Sequence, residues 1–309
     1  GTCALLVNTT GTRNTGIGHR ALDANTEGNC NVAVGMTSLS ANTTGDQNTA
    51  IGTEALSLNT TANNNTAVGH EALKLNTTGS NLTALGSFTL DENTTGASNT
   101  AIGSSALNKN TTGDYNIAVG SNALCSNVTS DSNTAVGYYA LRLNTGANNT
   151  AVGLCSLEAN TTGTLNTAVG QTSLKSNTEG SCNTAMGGLA LNANTTGSNN
   201  TAFGVCTLKA NSTGHSNVAV GVCALDTNTT GTVNTAIGFK ALTANTEGAS
   251  NVAIGNAMEA NTTGTDNTAV GGGALQSNTT ASGNTAVGRI ALAANTTGAG
   301  NTGIGFCAL

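Results

Sequence analysis

Thiols, imidazoles and carboxylates are the groups that could support nucleophilic, metal or acid–base chemistry. This 309-residue chain carries eight Cys, three His and fifteen Asp plus Glu. Their spacing does not assemble such chemistry. His19, His70 and His215 are far apart, with no partner at metal-ligand spacing. Glu27, Glu179 and Glu247 fall at one repeated position but too far apart to work as a carboxylate pair. Gly16-Ile17-Gly18-His19-Arg20-Ala21 imitates a dinucleotide fingerprint without the strand–turn–helix context that gives it meaning. The Gly/Asp nonapeptide of calcium-binding rolls is missing as well. No catalytic, cofactor or metal residue is assigned, and the chain is not read as an enzyme.

What the residues do show is a repeat. Gly69 to Leu85 (GHEALKLNTTGSNLTAL) is followed by Gly86 to Ile102 (GSFTLDENTTGASNTAI), each seventeen residues long. The phase runs from Gly1 through Gly18, Gly35, Gly52 and Gly69 to Gly305, with consensus G-x-x-A-L-x-x-N-T-T-G-x-x-N-T-A-V. One-residue deletions occur at Asn144-Thr145-Gly146 and near Ala257-Met258.

Eighteen copies reveal what each column tolerates. Column 1 is always Gly, which implies positive φ or a backbone approach too close for a Cβ. Column 5 is Leu (Leu22, Leu39, Leu56, Leu73 among others) except at Met258. Column 17 is always Val, Ile, Leu, Met or Phe, and these two columns are expected to form the buried pair. Column 15 exchanges Thr with Val32, Ile117, Val218 and Val252, so it is expected to be inward or half-buried, giving with column 17 the alternation of a short strand. Column 8 is Asn in every complete copy, including Asn8, Asn25, Asn42 and Asn76; column 14 (Asn14, Asn31, Asn48) is Asn except at Leu82. Such amides suit turns and can bond one another when stacked. Columns 2, 3, 6, 12 and 13 vary freely and are expected to face solvent.

Gly, Asn and Thr dominate each unit and are poor helix formers. With four Phe, three Tyr and no Trp, no thick globular core is available. The expected fold is therefore an all-β parallel β-solenoid (β-roll) of about eighteen rungs, a single repetitive domain over residues 1–309 without separate caps. A lone rung buries too little apolar surface to fold; neighbouring rungs must stabilise one another.

The cysteines follow the same columns. Cys3, Cys155, Cys206, Cys223 and Cys307 occupy column 3, Cys30 and Cys182 column 13, and Cys125 column 6. Cys206 and Cys223 are one rung apart and are candidates for a disulfide. Cys3 and Cys307, in the first and last rungs, would approach if two copies stacked, making a candidate inter-subunit contact. Fourteen of eighteen Asn-x-Ser/Thr sequons use the column-8 Asn, which is needed for structure; Asn64, Asn81, Asn148 and Asn199 in column 13 are the candidate glycosylation sites.

The strings Asn65–Gly69 (NTAVG) and Asn251–Gly255 (NVAIG) resemble the core repeat of trimeric autotransporter adhesin heads. The longer N-T-T-G-x-x-N-T-A-V-G-x-x-A-L unit is similar to repeats of phage tail-fibre and bacterial surface-fibre proteins. The resemblance spans the whole chain. It implies a left-handed parallel β-roll, a cell-surface or virion location, and structural or adhesive use.

The net charge of −6 and scattered Lys and Arg exclude a basic stripe for nucleic acid. No stretch approaches eighteen apolar residues, so no membrane insertion by a helix is expected. No signal-peptide pattern is visible, and a start at Gly1 suggests a processed product or an excerpt. The chain begins in column 1 and stops in column 5 at Leu309, so its open edges imply either an excerpt of a longer chain or a protomer that stacks head to tail. The expected role is the structural subunit or shaft of an extracellular filament. Its expected partners are further copies, head to tail or as a homotrimer, with cell-surface glycans as adhesion targets and no cofactor. The alternatives are an ice-binding solenoid, which Thr-rich rolls suggest but the Thr-Thr pair of columns 9 and 10 argues against, since its side chains point to opposite faces, and a trimeric adhesin or tail-fibre shaft.

Overall fold

The computed structural model describes residues 1–308; Leu309, the final column-5 position, lies outside the described residues. The chain divides into two compact units, Gly1–Ala151 and Val152–Leu309. Each is an all-β parallel solenoid with about seventeen residues per turn. Among the described residues there are eighteen three-residue strands, from Thr15–Ile17 to Thr302–Ile304, and no helix.

Register follows the repeat. In the first unit Thr15 pairs with Val32, Val32 with Thr49 and Thr49 with Thr66, all in parallel. In the second, Thr167 pairs with Thr184 and Thr184 with Thr201 in the same way. The deletion near Met258 leaves this intact: Val252 still pairs with Thr268, sixteen residues on. The missing residue comes from the turn, not from the strand.

Column 1 ends each strand. Gly18 has φ of +137°, and a Cβ there would lie 2.3 Å from the carbonyl oxygen of Gly35. Both constraints act together, so no other residue fits. Beyond the glycine the backbone curls through left-handed residues in columns 3 and 5, such as Arg20 (φ 54°) and Leu22 (φ 54°). Left-handed conformation costs a residue with a Cβ about 1–2 kcal/mol. It persists because it aims column 5 into the core and its N–H at the next rung, as in Leu22 N–H to the Ser38 carbonyl at 3.0 Å. A third such position is column 13, for example Cys30 at φ 58°.

The structure corrects the expected orientation of the strand. Its middle residue, column 16, points inward: Ala33, Ala50 and Ala67 are fully buried. Columns 15 and 17 lie on the opposite, outer side: column 15 is half-buried in most rungs, as at Thr49 and Thr100, and column 17 is more open, with Ile17 58% and Ile51 40% exposed. The interior explains the choice. Leu22, Leu39, Leu56 and Leu73 fill it completely, leaving the facing strand room for little more than a methyl group. A Cβ built on Gly16 would already lie 3.2 Å from Leu5 Cγ. Column 6 is corrected too: it is partly covered, and Asp23 is buried.

Candidate functional site

Three sets of residues repeat along each unit and could act on something outside it: the stacked amides, the outward strand face, and the thiols and carboxylates of columns 3 and 6.

The amides come first because the turns exist to hold them. Column 8 is fully buried throughout the interior of both units. Asn25 Nδ2 donates to Asn8 Oδ1 at 2.7 Å, Asn42 to Asn25 at 2.8 Å, Asn59 to Asn42 at 2.9 Å, and Asn76 to Asn59 at 3.1 Å. The same amide reaches the column-11 carbonyl of its own rung, as Asn25 does to Gly28 at 3.0 Å. Column 14 shares that carbonyl: Asn14 Nδ2 donates to Gly28 at 2.7 Å, and Asn31 Nδ2 to Gly45 at 2.8 Å. The column-14 oxygens accept the next rung's N–H, Asn14 from Asn31 and Asn31 from Asn48, both at 2.9 Å. Buried amides so connected are fully satisfied, which is the condition for a polar interior to be tolerated.

Columns 9 to 11 add a second device. The N–H groups of Thr26, Glu27 and Gly28 converge on the single carbonyl of Thr43 at 3.0, 3.0 and 3.2 Å, and the Thr26 hydroxyl joins them at 3.1 Å. Consecutive N–H groups cradling one oxygen form an anion-like nest whose occupant is the neighbouring rung.

Two copies interrupt the ladders. Leu82 takes the column-14 place, buried, its N–H donating to Asn65 Oδ1 at 3.0 Å, while Asn81 faces solvent. At the shortened Asn144-Thr145-Gly146 segment, Asn144 turns to the Gly146 carbonyl at 2.6 Å. Asn127 Oδ1 and Asn133 Nδ2 are then left buried without partners.

On the strand face, Thr or Val of column 15 and an apolar residue of column 17 alternate outward around the buried Ala. No outward strand position carries a charge. The face went unread in the sequence, although a signal existed. Column 16 is only ever Ala or Gly, whereas column 17 ranges in size from Val to Phe. Uniform smallness marks the crowded side; tolerance of size marks the open one.

The remaining positions are scattered. His70 lies 3.5 Å from Glu71 and edge-on to Phe88 at 5.2 Å, and His215 faces Ser216. Among the described residues no group of three or more His, Cys, Asp or Glu converges on a metal-sized site. Lys74 joins Glu54 at 2.7 Å and Glu71 at 3.2 Å, and these carboxylates hold its ammonium above the ordinary range. Asp91, one rung on, is pushed up by burial and then by Glu71, and its Oδ1 is buried without a partner. Cys206 and Cys223 occupy one column in successive rungs as free thiols; burial, then Asp226 and Cys206, push Cys223 up. Cys3 and Cys307 are exposed free thiols, and Asn64, Asn81, Asn148 and Asn199 are all exposed.

The sequence matches no protein-family model and no curated protein.

Proposed function

We propose that this chain is a structural subunit or shaft of an extracellular fibre, at a cell or virion surface, that self-associates by stacking rung on rung. The observation that carries the reading is the amide ladder. Asn8, Asn25, Asn42, Asn59 and Asn76 satisfy one another only across rungs. The nests of columns 9 to 11 likewise find their oxygen only in the next rung. The upper and lower faces of a rung are therefore complementary by construction, and a rung from another copy answers them as well as one from the same chain. The conserved geometry serves this stacking; the variable columns are left to contact targets such as cell-surface glycans.

Electron microscopy with fibre diffraction of the purified chain tests this. The expected result is unbranched filaments with an axial reflection at about 4.8 Å, the strand spacing. Particles that stay monomeric at high concentration would overturn it. Discrete trimers would replace filament growth with the trimeric-shaft alternative.

A further inference from the structure

We propose that the shortened rung at Asn144-Thr145-Gly146, in the first unit, encloses one structural water molecule held by the amides of Asn127 and Asn133. The site is built from atoms that every regular rung uses. In the rung before it, Asn110 Oδ1 accepts from Asn127 Nδ2 at 3.0 Å, and Asn116 Nδ2 donates to the Ser130 carbonyl at 2.9 Å. One rung on, the corresponding atoms are Asn127 Oδ1 and Asn133 Nδ2, and both are buried without a partner. Their side chains are fully shielded from solvent.

Neither amide can turn over to find a partner. Asn127 Nδ2 is held by Asn110 Oδ1 and by the Ser130 carbonyl at 2.9 Å, while Asn133 Oδ1 accepts the Asn149 N–H at 3.0 Å. The orphaned oxygen and the orphaned N–H belong to one rung and aim the same way. In regular rungs both serve the following rung, as Asn25 Oδ1 accepts from Asn42 and Asn31 Nδ2 donates to Gly45, each at 2.8 Å.

The place of the deletion explains the loss. It shortens the very turn that brings columns 8 and 11 up to these atoms, and Asn144 Nδ2 closes on the Gly146 carbonyl of its own rung. The deletion near Met258 falls outside that turn. There Asn261 Nδ2 still reaches Asn245 Oδ1 at 3.0 Å, and Asn251 Nδ2 still reaches the Gly264 carbonyl at 2.8 Å.

Chemistry selects the occupant. It must donate to the Asn127 oxygen and accept from the Asn133 N–H. A cation would be turned against the N–H and an anion against the oxygen, so neither suits both. Water suits both, and at about 30 Å³ it is smaller than the residue the turn has lost. Its second hydrogen can go to the Gly146 carbonyl, which accepts Asn144 Nδ2 and has another lone pair. Column-11 carbonyls take two donors in regular rungs, as Gly45 does from Asn31 and Asn42. About three bonds is usual for a buried water. Displacing it returns the entropy of one immobilised molecule, so restoring the missing residue is still stabilising.

The test uses the full chain in water-deuteron magnetic relaxation dispersion, which counts slowly exchanging buried waters, together with a high-resolution crystal structure. The crystal structure should show the water within about 2.7–3.2 Å of Asn127 Oδ1 and Asn133 Nδ2. A variant with Thr inserted between Thr145 and Gly146 should hold one long-lived water fewer than wild type. Asn133→Leu copies the natural Leu82 of the same column, and it should lose the same water should the insertion fail to fold. Circular dichroism checks the fold of both variants. An unchanged count in the folded variants overturns the proposal. So does an ion at the site, or a direct bond from Asn133 Nδ2 to Asn127 Oδ1 in wild type. All these residues lie within the first unit, so the result is independent of whether copies assemble into filaments.

Discussion

A single carboxylate shows how narrowly each column is tuned. Asp91 occupies column 6 with one oxygen buried and unpartnered, and burial followed by Glu71 holds its carboxyl above the ordinary value. A raised carboxylate pKa means the folded state keeps its proton longer than the unfolded state. Stability therefore falls as pH rises from the unfolded value through the folded one, and stays lower at neutrality. The same column shows the remedy: Asn108 Nδ2 donates to the Phe88 carbonyl at 2.9 Å, and Asn192 Nδ2 to that of Thr172 at 2.8 Å. Asp91→Asn should gain the equivalent bond to Glu71 and raise stability by about 1 kcal/mol at pH 7. Urea unfolding at pH 7 and pH 3 checks this. The gain should shrink at pH 3, where the wild-type carboxyl is already protonated.

At the scale of the strand, the inward Ala and outward neighbours make opposite predictions for adjacent residues. Ala219→Val adds volume against the column-5 Leu side chains and should cost about 1–3 kcal/mol. Val220→Thr, one residue on and outward, should stay within about 0.5 kcal/mol of wild type. Thermal melts of the two variants compare them directly; the reverse order would restore the inward reading of column 17. The turn offers a gain instead. Inserting Thr between Thr145 and Gly146 restores the seventeen-residue rung and gives Asn127 Oδ1 and Asn133 Nδ2 their partners. Each repaired group is worth about 1–3 kcal/mol, so the insertion should raise the unfolding midpoint in urea.

For the molecule as a whole, much was legible in the sequence because the repeat acts as an internal alignment. Period, parallel stacking, the Gly of column 1 and the columns of Leu and Asn all follow from invariance across copies. The facing of the strand did not, since Thr-Ala-Val reads equally well as apolar ends turned inward or a small centre turned inward. Only the volume already taken by Leu decides between them. The left-handed residues of columns 3, 5 and 13 were hidden for a related reason: Leu, Cys and Arg have no preference for that conformation, and rung-to-rung bonding imposes it. Charge is sparse, with nine Lys plus Arg and fifteen Asp plus Glu, and the ion pairs at Lys74 are half-buried at the surface of one stretch of rungs. Raising NaCl from 0.05 to ~1 M, where screening length shrinks to about 3 Å, should leave the melting midpoint almost unmoved. A large drop would reveal electrostatic support in the fold.

The column-8 amides carry one further implication. Away from the shortened rung at Asn144, each Nδ2 donates toward the preceding rung and each Oδ1 accepts from the following one. Their dipoles therefore add in a single sense within each unit, and each bond polarises the next. A copy arriving upside down would set oxygen against oxygen, so any growth through this ladder has a plus end and a minus end, as an arrow does.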